Sequence, residues 1–266
     1  MSILQARRSA IASQWRTGLK GYLFGLTLSN GTDATNDIDI ATGAAADASG
    51  YLMVLATGLT KQLDAAWAVG TNAGGRDTGS IANGTWHVWL IQNSDSMIVD
   101  VLFSLSASAP TMPTGYNRKR RIGSILRESA AIVVFIQTND IFLRSVPAND
   151  ANATNPGTSA VTLTLSVPTG IVISALFSAS INDTTPAAAT FMLLTALSQA
   201  DSVPSGTLSD VVSAASGALI PSKGSGDFAR LTNTSAQMRY RLDASNTDIF
   251  VLITTYGWID TRGRLS

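Results

Sequence analysis

Residues 85–92 read TWHVWLIQ and residues 97–104 read MIVDVLFS, two strongly apolar runs separated by the polar residues NSDS. Runs this short do not span a bilayer as helices. They fit the arms of a β-hairpin closed by a four-residue loop. The texture recurs along the chain. GYLFGLTLSNGTD, from Gly21, ends in an Asn-Gly turn signal, and NDIDI at 36–40 alternates acid with Ile. IGSILRE, AIVVFIQT and DIFLRS follow one another at the spacing of an antiparallel meander, with Ser129-Ala130 and Asn139-Asp140 at the reversals. VTLTLSV (161–167) alternates cleanly, and FMLLTAL (191–197) is a further strand. AQMRYRLDA and IFVLITTYGWID flank the turn SNTD and read as a closing hairpin.

The resulting expectation is an all-β protein of two antiparallel β-sandwich lobes, jelly-roll-like, at 21–147 and 148–266, preceded by a short N-terminal amphipathic helix within residues 1–20. A single large sandwich is the competing topology. Composition points the same way: 30 Ser, 29 Thr and 22 Gly favour strands joined by polar turns, and Glu128 stands alone among 17 Asp. The stretch 145–160, SVPANDANATNPGTSA, holds Pro147, Pro156 and repeated asparagines and marks the expected boundary. LTKQLDAAWAVG, 59–70, reads as the best internal helix, with Leu59, Leu63 and Trp67 on one face. It stops at Gly70 in the glycine-rich loop TNAGGRDTG. Residues 200–227 are poor in large apolar groups and read as a surface excursion.

Most catalytic constellations are absent from the sequence. With no cysteine there is no disulfide framework, thiolate zinc site or cysteine nucleophile. The one histidine, His87, lies between tryptophans in TWHVWL and reads as a structural residue. Asp33, Asp37 and Asp39 resemble a calcium loop, but counting from Asp37 the positions that need Gly and Glu hold Thr42 and Ala48. They read as turn and strand-edge carboxylates. TNAGGRDTG lacks the Gly-Lys-Ser/Thr ending of a phosphate loop. A glycosidase needs two carboxyl groups with separated pKa values, and no pair stands out. Trp67, Trp86, Trp89 and Trp258 sit in apolar runs and read as core. The Asn-x-Ser/Thr triplets, Asn83 among them, read as turn chemistry. No cofactor is expected, and neither is an enzyme.

The most charged stretch is RKRRIGSILRE, 118–128. Charges cancel overall at 18 basic against 18 acidic residues, and only Tyr116 is an aromatic neighbour, so a nucleic-acid groove is disfavoured. Side chains alternate along a strand, so four consecutive cations cannot form one stripe. Arg118 and Lys119 are expected in a solvated loop, with Arg120 and Arg121 opening the strand or contacting a neighbouring subunit. At the N-terminus, Ile3, Leu4, Ile11 and Trp15 fall at helical spacing with Arg7 and Arg8 between them. This basic amphipathic segment either packs on its own domain or projects as a docking arm. Ile3, Leu4, Arg7, Arg8, Ile11 and Trp15 are the candidate partner-binding residues.

GYLFGLTLSNGTDATNDIDIATG, LTKQLDAAWAVGTNAGGRDTGSIANGTWHVWLI, APTMPTGYNRKRRIGSILRE and GWIDTRGR together resemble a widespread group of tailed-phage and prophage proteins, described as virion structural, tail or fibre proteins. The resemblance covers most of residues 21–150 and the last ten residues. It implies a non-enzymatic virion component made in the host cytoplasm. The expected role is a tail or head–tail appendage, or a fibre, docking through its N-terminal segment onto portal, adaptor, tail or capsid proteins. A homotrimer is the expected assembly and a host-surface glycan a further partner, with neither nucleic acid nor membrane insertion. A capsid decoration protein (head fibre or cement) and a host-polysaccharide depolymerase are the alternatives. No catalytic residue is carried over.

Overall fold

The computed structural model describes residues 14–184, 188–213 and 222–264, whose regular structure is strand apart from a helical turn at 14–19. The chain divides into two compact units. One comprises the residues up to Asp140 together with those from Asp260 onward, and the other is Ile141–Ile259. The 147/148 division expected from sequence falls inside the strand Ile141–Thr154, which belongs to the second unit, and the carboxy-terminal turn belongs to the first.

In the first unit a small antiparallel sheet joins β1 (Leu23–Gly25), β4 (Gly43–Ala46) and β5 (Leu52–Leu55). A larger sheet runs in the order β11 (Ala131–Ile132), β10 (Tyr116–Glu128), β8 (Gly84–Asn93), β9 (Val99–Ser104), β7 (Ala73–Arg76), β6 (Leu59–Ala66), β3 (Asp37–Ile40) and β2 (Leu28–Asn30). The expected hairpin is present as β8 and β9, paired antiparallel from His87–Ser104 to Gln92–Val99. This sheet is mixed, however, since β7 runs parallel to both β6 and β9.

The helix expected at 59–70 is instead β6 and the turn after it. Leu59, Leu63 and Trp67 lie four apart, a spacing that puts residues on one side of either a helix or a strand. What distinguishes the two is the residue at spacing two. That residue is Lys61, which points inward and is fully buried, so the alternation was disguised by a charge. The glycine-rich loop likewise contains β7. A β-carbon on Gly74 would collide with the Ala66 carbonyl, and one on Gly75 would lie 2.6 Å from the Phe103 ring. The two glycines let this strand fit between its parallel neighbours.

Both reversals of the meander expected after residue 122 carry positive-φ residues, Ser129-Ala130 and Asn139, but AIVVFIQT between them is divided into β11 and a second strand. β10 and β11 reverse at Ser129-Ala130, both with positive φ (47° and 66°), as a two-residue hairpin turn requires. Asn83 secures it: its Oδ1 accepts from the Ala130 amide and from Arg127 Nη1, each at 3.0 Å. Beyond it, β12 (Phe135–Thr138) is held to the first unit, where Gln137 Oε1 accepts from the Leu28 amide (2.7 Å) and Asn30 Oδ1 from the Phe135 amide (3.1 Å).

In the second unit β13 (Ile141–Thr154), β20 (Ile249–Ile259), β15 (Ser174–Asp183) and β18 (Ser222–Leu231) lie side by side, antiparallel. A second antiparallel sheet runs β14 (Val161–Thr164), β19 (Gln237–Leu242), β16 (Thr190–Ala196) and β17 (Val211–Ser213). The expected boundary segment 145–160 is therefore mostly strand. It reads as linker because β13 is largely exposed, and Pro147 falls in the register shift between Leu143 and Ala148, where no ladder bond is required of it. The expected closing hairpin is also corrected. β19 pairs with β14 and β16, β20 pairs with β13 and β15, and SNTD carries the chain from one sheet to the other.

Candidate functional site

The charged run 118–121 lies wholly within β10, so no part of it is the loop expected for Arg118 and Lys119. β8 pairs along one side of β10, while β11 reaches only Arg127 and Glu128 on the other. Among the described strands, the outer edge of β10 from Tyr116 to Ile125 therefore has no neighbour. Cations on such an edge discourage pairing with a second chain. Two register shifts, between Tyr116 and Arg118 and between Arg121 and Gly123, break its regularity further.

Each of the four cations has a separate partner. Arg118 donates to Gln92 Oε1 at 2.7 Å and lies over the Tyr51 ring, and Arg16 lies over the same ring. Lys119 sits 5.5 Å from the Trp89 ring centroid and donates to the Ser108 carbonyl at 3.3 Å. Arg121 makes a bidentate pair with Asp260 at 2.5 and 2.8 Å. Arg120 has no carboxylate; its Nη2 donates to the Arg262 carbonyl at 3.0 Å.

The carboxy-terminal turn thus closes over the basic edge. Asp260 accepts from the Arg262 amide at 2.8 Å as well as from Arg121. Arg262 donates to Asp140 through Nε and Nη2 at 3.2 and 3.1 Å, and Arg264 pairs with the same carboxylate. Lys119, Arg120, Arg121, Arg262 and Arg264 face only Asp140 and Asp260 here, leaving an excess of three positive charges. Burial holds the Arg120 guanidinium below its usual pKa, and repulsion from Arg121, Arg262 and Arg264 adds to the effect. Burial does the same to Arg262, with Asp260 pulling the other way.

Between the turn and the edge lies a cleft of about 260 Å³, lined by Ala48, Trp89, Ser108, Lys119, Arg120, Arg121, Arg262 and Gly263. Two donors of its lining residues, Arg120 Nε and Arg262 Nη1, are buried and have no hydrogen-bond partner among the described residues. Arg262 is only 4% exposed. An unsatisfied buried donor costs about 1–3 kcal/mol, and more when charged.

His87 is 1% exposed, with its Nδ1 2.9 Å from Ser124 Oγ. Burial, with Arg121 nearby, lowers its pKa to about 4, while Asp260 opposes the shift. At neutral pH it is a neutral core residue. Asp33 closes a local turn, accepting from the Thr35 amide and Asn36 Nδ2, and Asp39 accepts from Thr60 Oγ1. Among the described residues no group of three or more His, Asp or Glu converges as a metal site. No described helix is long and apolar enough to cross a membrane.

Of the expected docking residues, Ile3, Leu4, Arg7, Arg8 and Ile11 lie outside the described residues. Trp15 is described, 74% exposed on a helical turn at 14–19. That turn lies against Gly50, where a β-carbon would collide with the Arg16 carbonyl. The partners Asp140, Asp260 and Arg262 were not expected from sequence. The available signal was GWIDTRGR itself, which sets Asp260 beside two arginines at the end of an apolar strand. No protein-family model matches the chain, and no curated protein matches its sequence.

Proposed function

We propose that this protein is a non-enzymatic structural component of a tailed-phage virion, an appendage or fibre that docks onto another particle protein through its N-terminal segment. In this reading the two units are jelly-roll-type sandwich lobes, an amphipathic helix leads them, and three copies assemble. The observation that carries it is an aligned apolar surface in the first unit, beside the end of that segment. Phe24, Ala44 and Val54 lie opposite one another across β1, β4 and β5, and Leu52 follows two residues from Val54 on the same side. Phe24, Leu52 and Val54 are exposed, as are Trp15 and Tyr22. Single exposed apolar residues are ordinary, whereas a set in register marks an interaction surface. A second support is that two stretches carrying the phage-protein resemblance, RKRR and DTRGR, meet in one ion-paired knot.

Removing residues 1–20, or introducing Phe24→Asp with Val54→Asp, should leave a folded protein that is missing from purified particles. Quantitative mass spectrometry of the particles measures this, with circular dichroism confirming the fold. Incorporation at the wild-type level in both variants would falsify the docking reading.

A further inference from the structure

The cleft between β10 and the carboxy-terminal turn binds an oxyanion, we infer: a phosphate or sulfate group, free or carried on a larger molecule. Three observations converge on it. The cleft gathers Lys119, Arg120, Arg121 and Arg262, and only Arg121 and Arg262 face carboxylates. Two guanidinium nitrogens of its lining residues, Arg120 Nε and Arg262 Nη1, are buried and lack an acceptor among the described residues. Arg262 is held in place by Asp140, so its free nitrogen is fixed in position.

The geometry selects the ligand class. A carboxylate is best matched by the parallel donors of a single guanidinium fork. Here the unpaired donors belong to two different arginines, with Lys119 lining the same cleft, and donors on separate side chains suit the separated oxygens of a tetrahedral group. Arg120 lacks a carboxylate, so an incoming anion need displace no ion pair to reach it. The Trp89 ring at the wall keeps the site partly dry, which strengthens charge-assisted hydrogen bonds. This inference rests on the cleft alone and stands whether or not the virion reading holds.

Inorganic phosphate and inorganic sulfate are titrated separately into the full-length protein by calorimetry at constant ionic strength, with chloride as the balancing salt. Saturable binding with Kd of about 1 mM or tighter is expected for at least one of them. The tighter of the two tells whether the natural ligand carries phosphate or sulfate. Lys119→Gln with Arg120→Gln should weaken binding at least about tenfold, the loss of roughly one charge-assisted contact. Lys223→Gln, an equal charge change in the other unit, should leave it unchanged. If the double variant folds poorly, Lys119→Gln alone and the wild-type titration still decide the matter. No saturable heat with either anion in the wild-type protein, or equal weakening in the Lys223 variant, overturns the site.

Discussion

In the second unit the core is built from alternate residues of plain antiparallel strands: Phe177, Ala179 and Ile181 on β15, Val251 and Ile253 on β20, Met192 and Leu194 on β16, Met238 and Tyr240 on β19. Its ion pairs, Arg230–Asp210 and Arg241–Asp201, lie at the surface. The first unit buries charge within its sheet. Lys61 and Asp100 are 0% and 1% exposed and 3.2 Å apart. Lys61 Nζ also donates to the Ala68 and Gly70 carbonyls at 2.6 and 3.1 Å, and Asp100 Oδ2 accepts from the Gly70 amide. Burial holds the Lys61 pKa down against the pull of Asp100. The pair pins the irregular 68–70 turn that brings β7 in parallel, a junction that alternation alone does not specify. Where a sheet changes direction, polar groups with obligatory partners fix the path; where strands simply reverse, apolar alternation suffices.

The largest effect that could break this contrast is at Asp100. Asp100→Ala leaves Lys61 buried without its counter-charge and should destabilise the protein by about 3–5 kcal/mol, read by urea unfolding. A loss below about 1 kcal/mol would place the pair with ordinary surface pairs.

Next comes His87, whose folded pKa of about 4 lies below its usual 6.5. Above 6.5 the imidazole is neutral in both states and this contribution is complete. As pH falls toward 4 the unfolded chain takes up a proton that the folded chain refuses, so stability drops by about 3 kcal/mol. His87→Gln should lose correspondingly less stability between pH 7 and pH 4, measured by thermal melts at both. An unchanged pH dependence counts against the buried neutral histidine.

The smallest effect is expected in the second unit. Asp201→Ala removes the partner of Arg239 and Arg241 at its surface and should cost about 0–1 kcal/mol. A larger cost would mean that this unit, too, depends on charge.

The legibility of the fold follows the same divide. The β8–β9 hairpin could be read from sequence because two continuous apolar runs flank a polar turn, β3 and β16 because each presents one buried face with period two, and β14 because half-buried residues alternate with exposed ones. β6 could not, because Lys61 occupies an inward position that hydropathy assigns to solvent. β13 could not, because an exposed strand with Pro147 at a register shift has the composition of a linker. Within the site, the four cations of 118–121 were conspicuous. Their partners were not, since Asp260 lies 139 residues from Arg121 and Asp140 122 from Arg262.

The sequence by itself determined an all-β chain, for alternation and turn chemistry are local properties that each segment carries alone. Only the tertiary structure decided which strands are neighbours, that β7 lies parallel to its neighbours, and that the last turn folds back over the basic edge. Those outcomes depend on pairing between groups far apart in the chain. Electrostatic and steric complementarity of that kind leaves no periodic mark in either partner.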